Sequence, residues 1–193
     1  MSALNYSTPS TLAIALGANL PSTFGTPKLT LIKIRPLLED EICEWIKSTY
    51  SLNDDLNSIK NNLDWYWSPL YETEPIGEAG NQPDFINAVL LVEGKKLLRQ
   101  VPSEKAALDL LNKFLAIEEK FGRDRKNSLK KWGPRTLDID FLAWGSLQIN
   151  NKNLTLPHPR LIERNFVITP LAAALSKKGS RIKQLPDQQG WGI

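Results

Sequence analysis

Two aspartates, Asp138 and Asp140, stand in the run Lys131-Trp132-Gly133-Pro134-Arg135-Thr136-Leu137-Asp138-Ile139-Asp140-Phe141, with fixed cations beside them. Leu137, Ile139, Phe141 and Ala143 alternate with Asp138, Asp140, Leu142 and Trp144, the period-2 pattern of a strand, so both carboxylates share a face. Two residues of strand advance the chain by roughly 6 to 7 Å. Carboxylates at that spacing can converge on one Mg²⁺ or bracket two ions about 3.5 to 4 Å apart. Mg²⁺ takes hard oxygen ligands and completes its shell with waters and substrate phosphates. An isolated Asp-x-Asp is most often a solvated strand face. Here the same face continues as Leu142 and Trp144, so the two carboxylates need a partner.

Cations crowd into the segment before them: Lys120, Arg123, Arg125, Lys126, Lys130, Lys131 and Arg135. Such a cluster is a solvated surface, a nucleic-acid patch or a polyphosphate site, and the neighbouring aspartates favour the last. Gly122 and Gly133 bracket Arg123 to Trp132, a polar stretch without apolar periodicity that reads as a flexible loop able to fold over phosphates. Trp132 either closes over a ligand or is an ordinary packing anchor. Glu118 has no lysine or arginine three or four positions away, so a local helical salt bridge does not explain it. Phe85 with Asn87 offers an aromatic wall and an amide for a flat heterocycle, or else a sheet periphery. Phe166 has the same two readings. His158, the only histidine, is held between Pro157 and Pro159. With no Cys, Glu or second His beside it, a phosphate or sugar contact suits it better than a metal.

These residues need a scaffold, and the hydrophobic pattern outlines one. Thr11 to Leu16 reads as a buried strand ending at a turn, Gly17-Ala18-Asn19. Thr26-Pro27 reads as an N-cap with proline in the first helical position. The helix then follows Leu29, Ile32, Leu37, Leu38, Ile42, Trp45 and Ile46, with Pro36 expected to kink or divide it. Thr49 to Asn62 is rich in Asn, Asp and Ser, and residues 47–63 read as an extended connector or insertion. Leu63 to Thr73 reads as a second strand leading into a Gly- and Pro-bearing loop, Glu74 to Pro83. Asp84 to Val92 is a strand with Ile86, Ala88, Leu90 and Val92 on one apolar face, which points Phe85 and Asn87 the other way. Pro102 to Phe121 is an amphipathic helix carrying Ala107, Leu110, Leu111, Phe114, Ile117 and Phe121, with Gly122 as its stop. Two strands, a helix and then the aspartate strand predict an α+β layered protein with a mostly antiparallel sheet.

The 193 residues fit a single domain, with 1–10 and 176–193 as peripheral ends. Hydrophobic content of 41% and charged content of 23% are those of an ordinary globular chain. A formal charge of +3 does not by itself argue for nucleic acid. One cysteine, Cys43, excludes an intrachain disulfide. The polar start carries no secretory pattern and no apolar run approaches the roughly 20 residues of a membrane span. The expectation is a cytoplasmic monomer without membrane or nucleic-acid partners.

The combined pattern resembles the 6-hydroxymethyl-7,8-dihydropterin pyrophosphokinase family of folate biosynthesis. Ala15-Leu16-Gly17-Ala18-Asn19-Leu20, Tyr71-Glu72-Thr73-Glu74-Pro75-Ile76-Gly77, Gln82-Pro83-Asp84-Phe85-Ile86-Asn87, Gly122-Arg123-Asp124-Arg125, the Trp132 to Asp140 signature and Leu156-Pro157-His158 occur in family order. The resemblance implies a ferredoxin-like three-layer α/β/α fold and Mg-dependent transfer of diphosphate from ATP to the pterin hydroxymethyl group, releasing AMP. It implies Asp138 and Asp140 as ligands of two Mg²⁺ ions and Arg123 and Arg135 as cations at the transferred group. The pterin would meet Thr73, Glu74, Ile76, Phe85, Asn87, Trp132 and Phe166. Glu118, Arg125, Lys131, Ile139, Phe141, Thr155, His158 and Arg164 would line the ATP site or its lid. Two other readings stand beside it: another Mg-dependent nucleotide-using transferase with an Asp-x-Asp site, and a non-catalytic ferredoxin-like RNA-binding module.

Overall fold

The computed structural model describes residues 11–75, 82–94, 102–125, 133–161 and 165–177. Its centre is β1 (Leu12–Ala18), buried along its whole length and flanked by β4 (Phe85–Glu93) and β5 (Asp138–Trp144). On the far side of β4 lie β2 (Asp64–Trp67) and β3 (Tyr71–Thr73), each paired with a different part of it. All these pairings are antiparallel, and a small hairpin of β6 (Ile149–Asn150) and β7 (Thr155–Leu156) follows.

Both faces of the sheet are covered, which is why β1 is apolar on both sides. Leu12, Ile14 and Leu16 join Leu90, Val92, Ile139 and Phe141 against α1 (Pro27–Thr49) and α3 (Glu104–Lys120). Ala13 and Ala15 join Val89, Leu91 and Leu142 against Val167 and Ala174 of α4 (Asn165–Lys177). The outcome is the expected α+β ferredoxin-like architecture, a mostly antiparallel sheet between helical layers.

Helix ends follow their sequence signals. Thr26 caps α1 by accepting from the Leu29 backbone N–H (3.4 Å), with Pro27 in the first turn. Ser103 caps α3 at Ala106 (3.3 Å). The chain leaves α3 through Gly122 at φ +84°, a left-handed conformation that glycine adopts without a Cβ penalty.

Several expectations are corrected. The turn expected at Gly17-Ala18-Asn19 is displaced, because β1 continues through Ala18. Pro36 does not divide α1. It lies on the exposed side, where water can satisfy the carbonyl one turn earlier that loses its N–H partner. The buried stripe of α1 runs through Leu31, Ile34, Leu38, Ile42, Trp45 and Ile46, leaving Leu29, Ile32 and Leu37 exposed. The connector contains a short helix, α2 (Leu56–Asn61), capped by the Asp55 carboxylate at the Ser58 N–H (2.9 Å) and anchored by fully buried Ile59. The single strand expected over Leu63 to Thr73 is two. The chain breaks at Ser68-Pro69-Leu70, where the Ser68 hydroxyl accepts from Val89 N–H (2.9 Å). Trp144 lies on the face opposite Asp138 and Asp140. The β1–β5 register shifts between the Ala13/Ala143 and Ile14/Phe141 pairs, so Leu142 is an extra residue and the alternation changes phase after it. Trp144 therefore packs edge-on to Trp45, centroids 5.1 Å apart.

Candidate active site

At the end of β1, Gly17 stands between Asn87 of β4 and Asp138 of β5. Strand alternation then puts Phe85 and Asn87 on one side of it and Asp138 and Asp140 on the other, all on the sheet face that carries α4. Gly17 is the floor between them. A Cβ there would lie 2.8 Å from the Asn87 Oδ1 and 3.7 Å from the Phe85 Cδ1. Gly17 borders a cavity of about 400 Å³, lined also by Thr73, Glu74, Gln82, Arg123, Arg125, Arg135, His158, Arg160 and Phe166.

One half of the cavity is aromatic and amide. Asn87, 5% exposed, donates from Nδ2 to the Thr73 hydroxyl (2.7 Å), which fixes the direction of its carbonyl. Phe85 of β4 and Phe166 of the first turn of α4 both line the cavity. The Arg135 guanidinium lies 5.8 Å from the Phe85 ring centroid, within cation–π range, and links this half to the other.

The other half is ionic. Arg123 donates from Nη1 to Asp138 Oδ1 (2.9 Å) and to the Leu137 carbonyl (2.7 Å). Arg135 donates from Nη1 to Asp138 Oδ2 (2.6 Å). Two guanidinium groups thus hold the two oxygens of one carboxylate, in a pocket where all three side chains are less than a fifth exposed. Arg125 reaches toward the same Asp138 (3.9 Å) but is bound mainly by Glu118, through Nε to Oε2 (2.8 Å) and through Nη2.

Glu118 is fully buried behind the cavity. Its Oε1 accepts from the Ile139 backbone N–H (2.7 Å), which ties α3 to the residue between the two aspartates. Burial pushes its carboxyl above the ordinary glutamate range, and the Asp138 charge adds to that shift. Arg125, the Ile139 N–H and Arg123 oppose it. The partner that sequence spacing did not supply is Arg125, seven residues on.

Of the residues singled out in the sequence, Thr73, Glu74, Phe85, Asn87, Arg123, Arg125, Arg135, Asp138, Asp140, His158 and Phe166 line this one cavity. Ile139 and Phe141 do not present side chains to the cavity, because they pack in the core under α1 and α3. Thr155 lies in β7 outside the lining. Ile76, Lys131, Trp132 and Arg164 are outside the described residues.

Sequence reasoning missed three contributors. Gly17 was read as a turn residue rather than a floor. Asn19, 2% exposed, accepts from Arg135 N–H (2.7 Å) and donates from Nδ2 to Gln82 Oε1 (3.1 Å) and the Pro83 carbonyl (3.0 Å). It fastens both flanking loops to the end of β1. A polar residue just past a buried strand was the available signal. Arg160, two residues beyond His158, also lines the cavity.

Among the described residues, no group of three or more His, Cys, Asp or Glu forms a metal cage. The donor set still fits Mg²⁺, since two same-face carboxylates beside several arginines suit an ion that arrives with phosphate and keeps part of its water shell.

Fold and site together define an α+β protein that sets an arginine–carboxylate cluster against an aromatic–amide recess. The family model described as 7,8-dihydro-6-hydroxymethylpterin-pyrophosphokinase matches residues 13–176. A Synechocystis sp. protein named 2-amino-4-hydroxy-6-hydroxymethyldihydropteridine pyrophosphokinase is 41% identical over 112 residues, covering 55% of this chain and 51% of that protein. A Haemophilus influenzae protein of the same name is 40% identical over 104 residues, covering 54% and 57%. A "Folate synthesis bifunctional protein" of Arabidopsis thaliana is 40% identical over 108 residues, covering 56% of this chain and 20% of its own length. The chain thus aligns with about half the length of the two bacterial relatives. It belongs to the 7,8-dihydro-6-hydroxymethylpterin-pyrophosphokinase family.

Proposed function

We propose that the chain transfers diphosphate from ATP to the hydroxymethyl oxygen of 6-hydroxymethyl-7,8-dihydropterin, with Mg²⁺, giving AMP and the pterin diphosphate for folate biosynthesis. The observation that carries this reading is the juxtaposition across Gly17: a ring-and-amide recess on β4 and an arginine–carboxylate cluster on β5 share one cavity. The family relationship supports the same reaction.

In this reading the pterin ring lies between Phe85 and Phe166, and Asn87, with Thr73 fixing its rotamer, reads the polar edge. Stacking orients the ring and the amide sets its register, so the hydroxymethyl group points toward β5. The oxygen attacks the β-phosphorus of ATP, a P–O bond forms, the bond from that phosphorus to the α–β bridging oxygen breaks, AMP departs with the electron pair, and the hydroxyl proton is released to water. Asp138 and Asp140 would hold Mg²⁺, which when bound neutralises phosphate charge. Arg123 and Arg135 meet the negative charge that spreads over the transferred group. Both are already oriented by Asp138, so little reorganisation is needed before transfer. Asn19 keeps Arg135 at the β1 terminus by accepting its backbone N–H. Glu118 holds Arg125 and the Ile139 backbone from behind. The protein's work is positioning and electrostatics rather than covalent chemistry.

A titration with the pterin alcohol and a non-hydrolysable ATP analogue, with and without Mg²⁺, tests the reading. A ternary complex that tightens with Mg²⁺ is expected. Failure of the two ligands to bind together would contradict it.

A further inference from the structure

We infer that the outer face of α1 is a self-association surface, pairing antiparallel with α1 of a second copy of this chain in a weak two-fold dimer. This stands in place of the monomer expected from the sequence and is independent of the proposed reaction.

Leu29, Lys33, Pro36, Asp40 and Glu44 follow one another at intervals of four, three, four and four residues, so they share one face of α1. That face points away from the core. Leu29 is 45% exposed, and at the borders of the face Ile32 is 51% and Leu37 37% exposed. An apolar seam thus runs along the first half of a helix whose opposite stripe is already buried.

Charge selects the occupant. Lys28, Lys33 and Arg35 lie in the N-terminal half of α1, and Glu39, Asp40, Glu41 and Glu44 in the C-terminal half, where Lys47 is the single base. The helix macrodipole favours acids at the start, yet none stands in the first turn. Pairing within the subunit explains part of the pattern. Glu39 holds Arg35 (3.4 Å) and Lys60 (3.2 Å), Asp40 holds Lys60 (2.8 Å), and Glu41 holds Lys113. Lys28, Lys33 and Glu44 make no salt bridge among the described residues. Lys33 has no acid three or four positions away, and Asp40 and Glu44 stand four apart, a like-charge spacing that destabilises an isolated helix.

A helix basic at one end and acidic at the other complements itself only when the copy runs antiparallel. With the crossing at Pro36 and Leu37, residues equally far from it meet. Lys33 of each copy then faces Asp40 of the other, with Glu44 one turn beyond, while Leu29, Ile32, Pro36 and Leu37 close the seam. Asp40 keeps Lys60 on one side, and with its side chain 61% exposed it retains carboxylate lone pairs for a second cation. Such a contact is isologous and closes as a pair. α1 covers the sheet face opposite α4, so the cavity of each copy stays open. One helix per subunit is a small interface, which sets the expected dissociation constant on the order of 0.1 mM.

Sedimentation velocity of the full chain over a concentration series tests this. Wild-type chain is expected to pass from monomer to dimer, less readily at high salt. K33E and D40K each place like charges at both copies of the Lys33 contact, so each alone should dimerise at least about 10-fold more weakly. Mixed together they should form a heterodimer, because each supplies the charge the other lacks. I32Q, at an exposed position outside every ion pair, should weaken the dimer with no change of charge, and circular dichroism checks that all three variants remain folded. Wild-type chain that stays monomeric overturns the inference, as does a dimer that K33E and I32Q leave unchanged. Folded K33E and D40K that fail to associate when mixed overturn the antiparallel contact. Binding of wild-type chain to phosphatidylserine vesicles with no self-association overturns it in favour of a lipid surface.

Discussion

Replacing Gly17 by alanine separates the two halves of the cavity. The added Cβ would lie 2.8 Å from Asn87 Oδ1, and the next nearest atoms within 4.0 Å are Phe85 Cδ1 and Asn87 Cγ, so the nearest contacts are all on β4. Ordinary carbon–oxygen contacts are about half an ångström longer, and carbon–carbon optima lie near 3.5 to 4.0 Å. Asn87 is buried and tied to Thr73 at 2.7 Å, so it cannot simply swing into water. Either the amide moves by roughly 0.5 Å and weakens the Thr73 hydrogen bond, or the strand shifts. A displaced hydrogen bond at a buried polar group is worth about 1 to 3 kcal/mol, or roughly 10- to 100-fold in affinity. The same displacement lowers fold stability, offset in part by the about 0.5 to 1 kcal/mol of backbone entropy that alanine in a strand recovers. Gly17→Ala is therefore expected to melt a few degrees below the parent, keep its affinity for the ATP analogue, and bind the pterin alcohol 10- to 100-fold more weakly. Fluorescence titration for binding and thermal melting for stability measure the two quantities. A folded Gly17→Ala variant that binds the pterin alcohol with parental affinity would refute the reasoning about the floor.

Asp138→Asn keeps the size but not the charge that holds Arg123 and Arg135, so AMP formation should fall by about 10² to 10⁴-fold in a steady-state assay while the chain stays folded. Glu118 is a pH marker. Its folded-state pKa is raised, so the native state binds the proton more tightly than the unfolded chain. The stabilisation this gives is complete below the unfolded glutamate pKa and is lost as pH rises through the folded value. The melting temperature of the parent relative to Glu118→Gln should therefore decline from acidic pH upward, and a difference that grows with pH would contradict the assignment. Cys43, 1% exposed, has its thiol pushed up to about 12, chiefly by burial. It should resist a thiol-labelling reagent at pH 8 in the native chain and react once denatured, as read by mass spectrometry.

The parts legible in the sequence are those governed by local periodicity. Asp138 and Asp140 share a face because strand alternation demands it, and Phe85 and Asn87 oppose the apolar set Ile86, Ala88, Leu90 and Val92 for the same reason. The caps at Thr26 and the stop at Gly122 were equally local. What escaped depends on neighbours distant in the chain. The extra residue at Leu142 is visible only against β1, so Trp144 was assigned to the wrong face. The role of Gly17 exists only because β4 and β5 flank it. Glu118 finds its partners in Arg125 and the backbone of β5, beyond the reach of a helical spacing rule. Asn19 reads as a turn residue until residues 82, 83 and 135 converge on it. The broken strand at Ser68 and the short helix α2 carry too few residues for periodicity to distinguish them from a loop.

The central claim is that this cavity joins two substrates for diphosphate transfer. Phosphorus NMR of the chain incubated with ATP, Mg²⁺ and 6-hydroxymethyl-7,8-dihydropterin tests it most directly. Signals of AMP and a pterin diphosphate, formed in equal amounts and absent without the pterin, are the predicted result; ADP as the nucleotide product, or no turnover by folded chain, would contradict it.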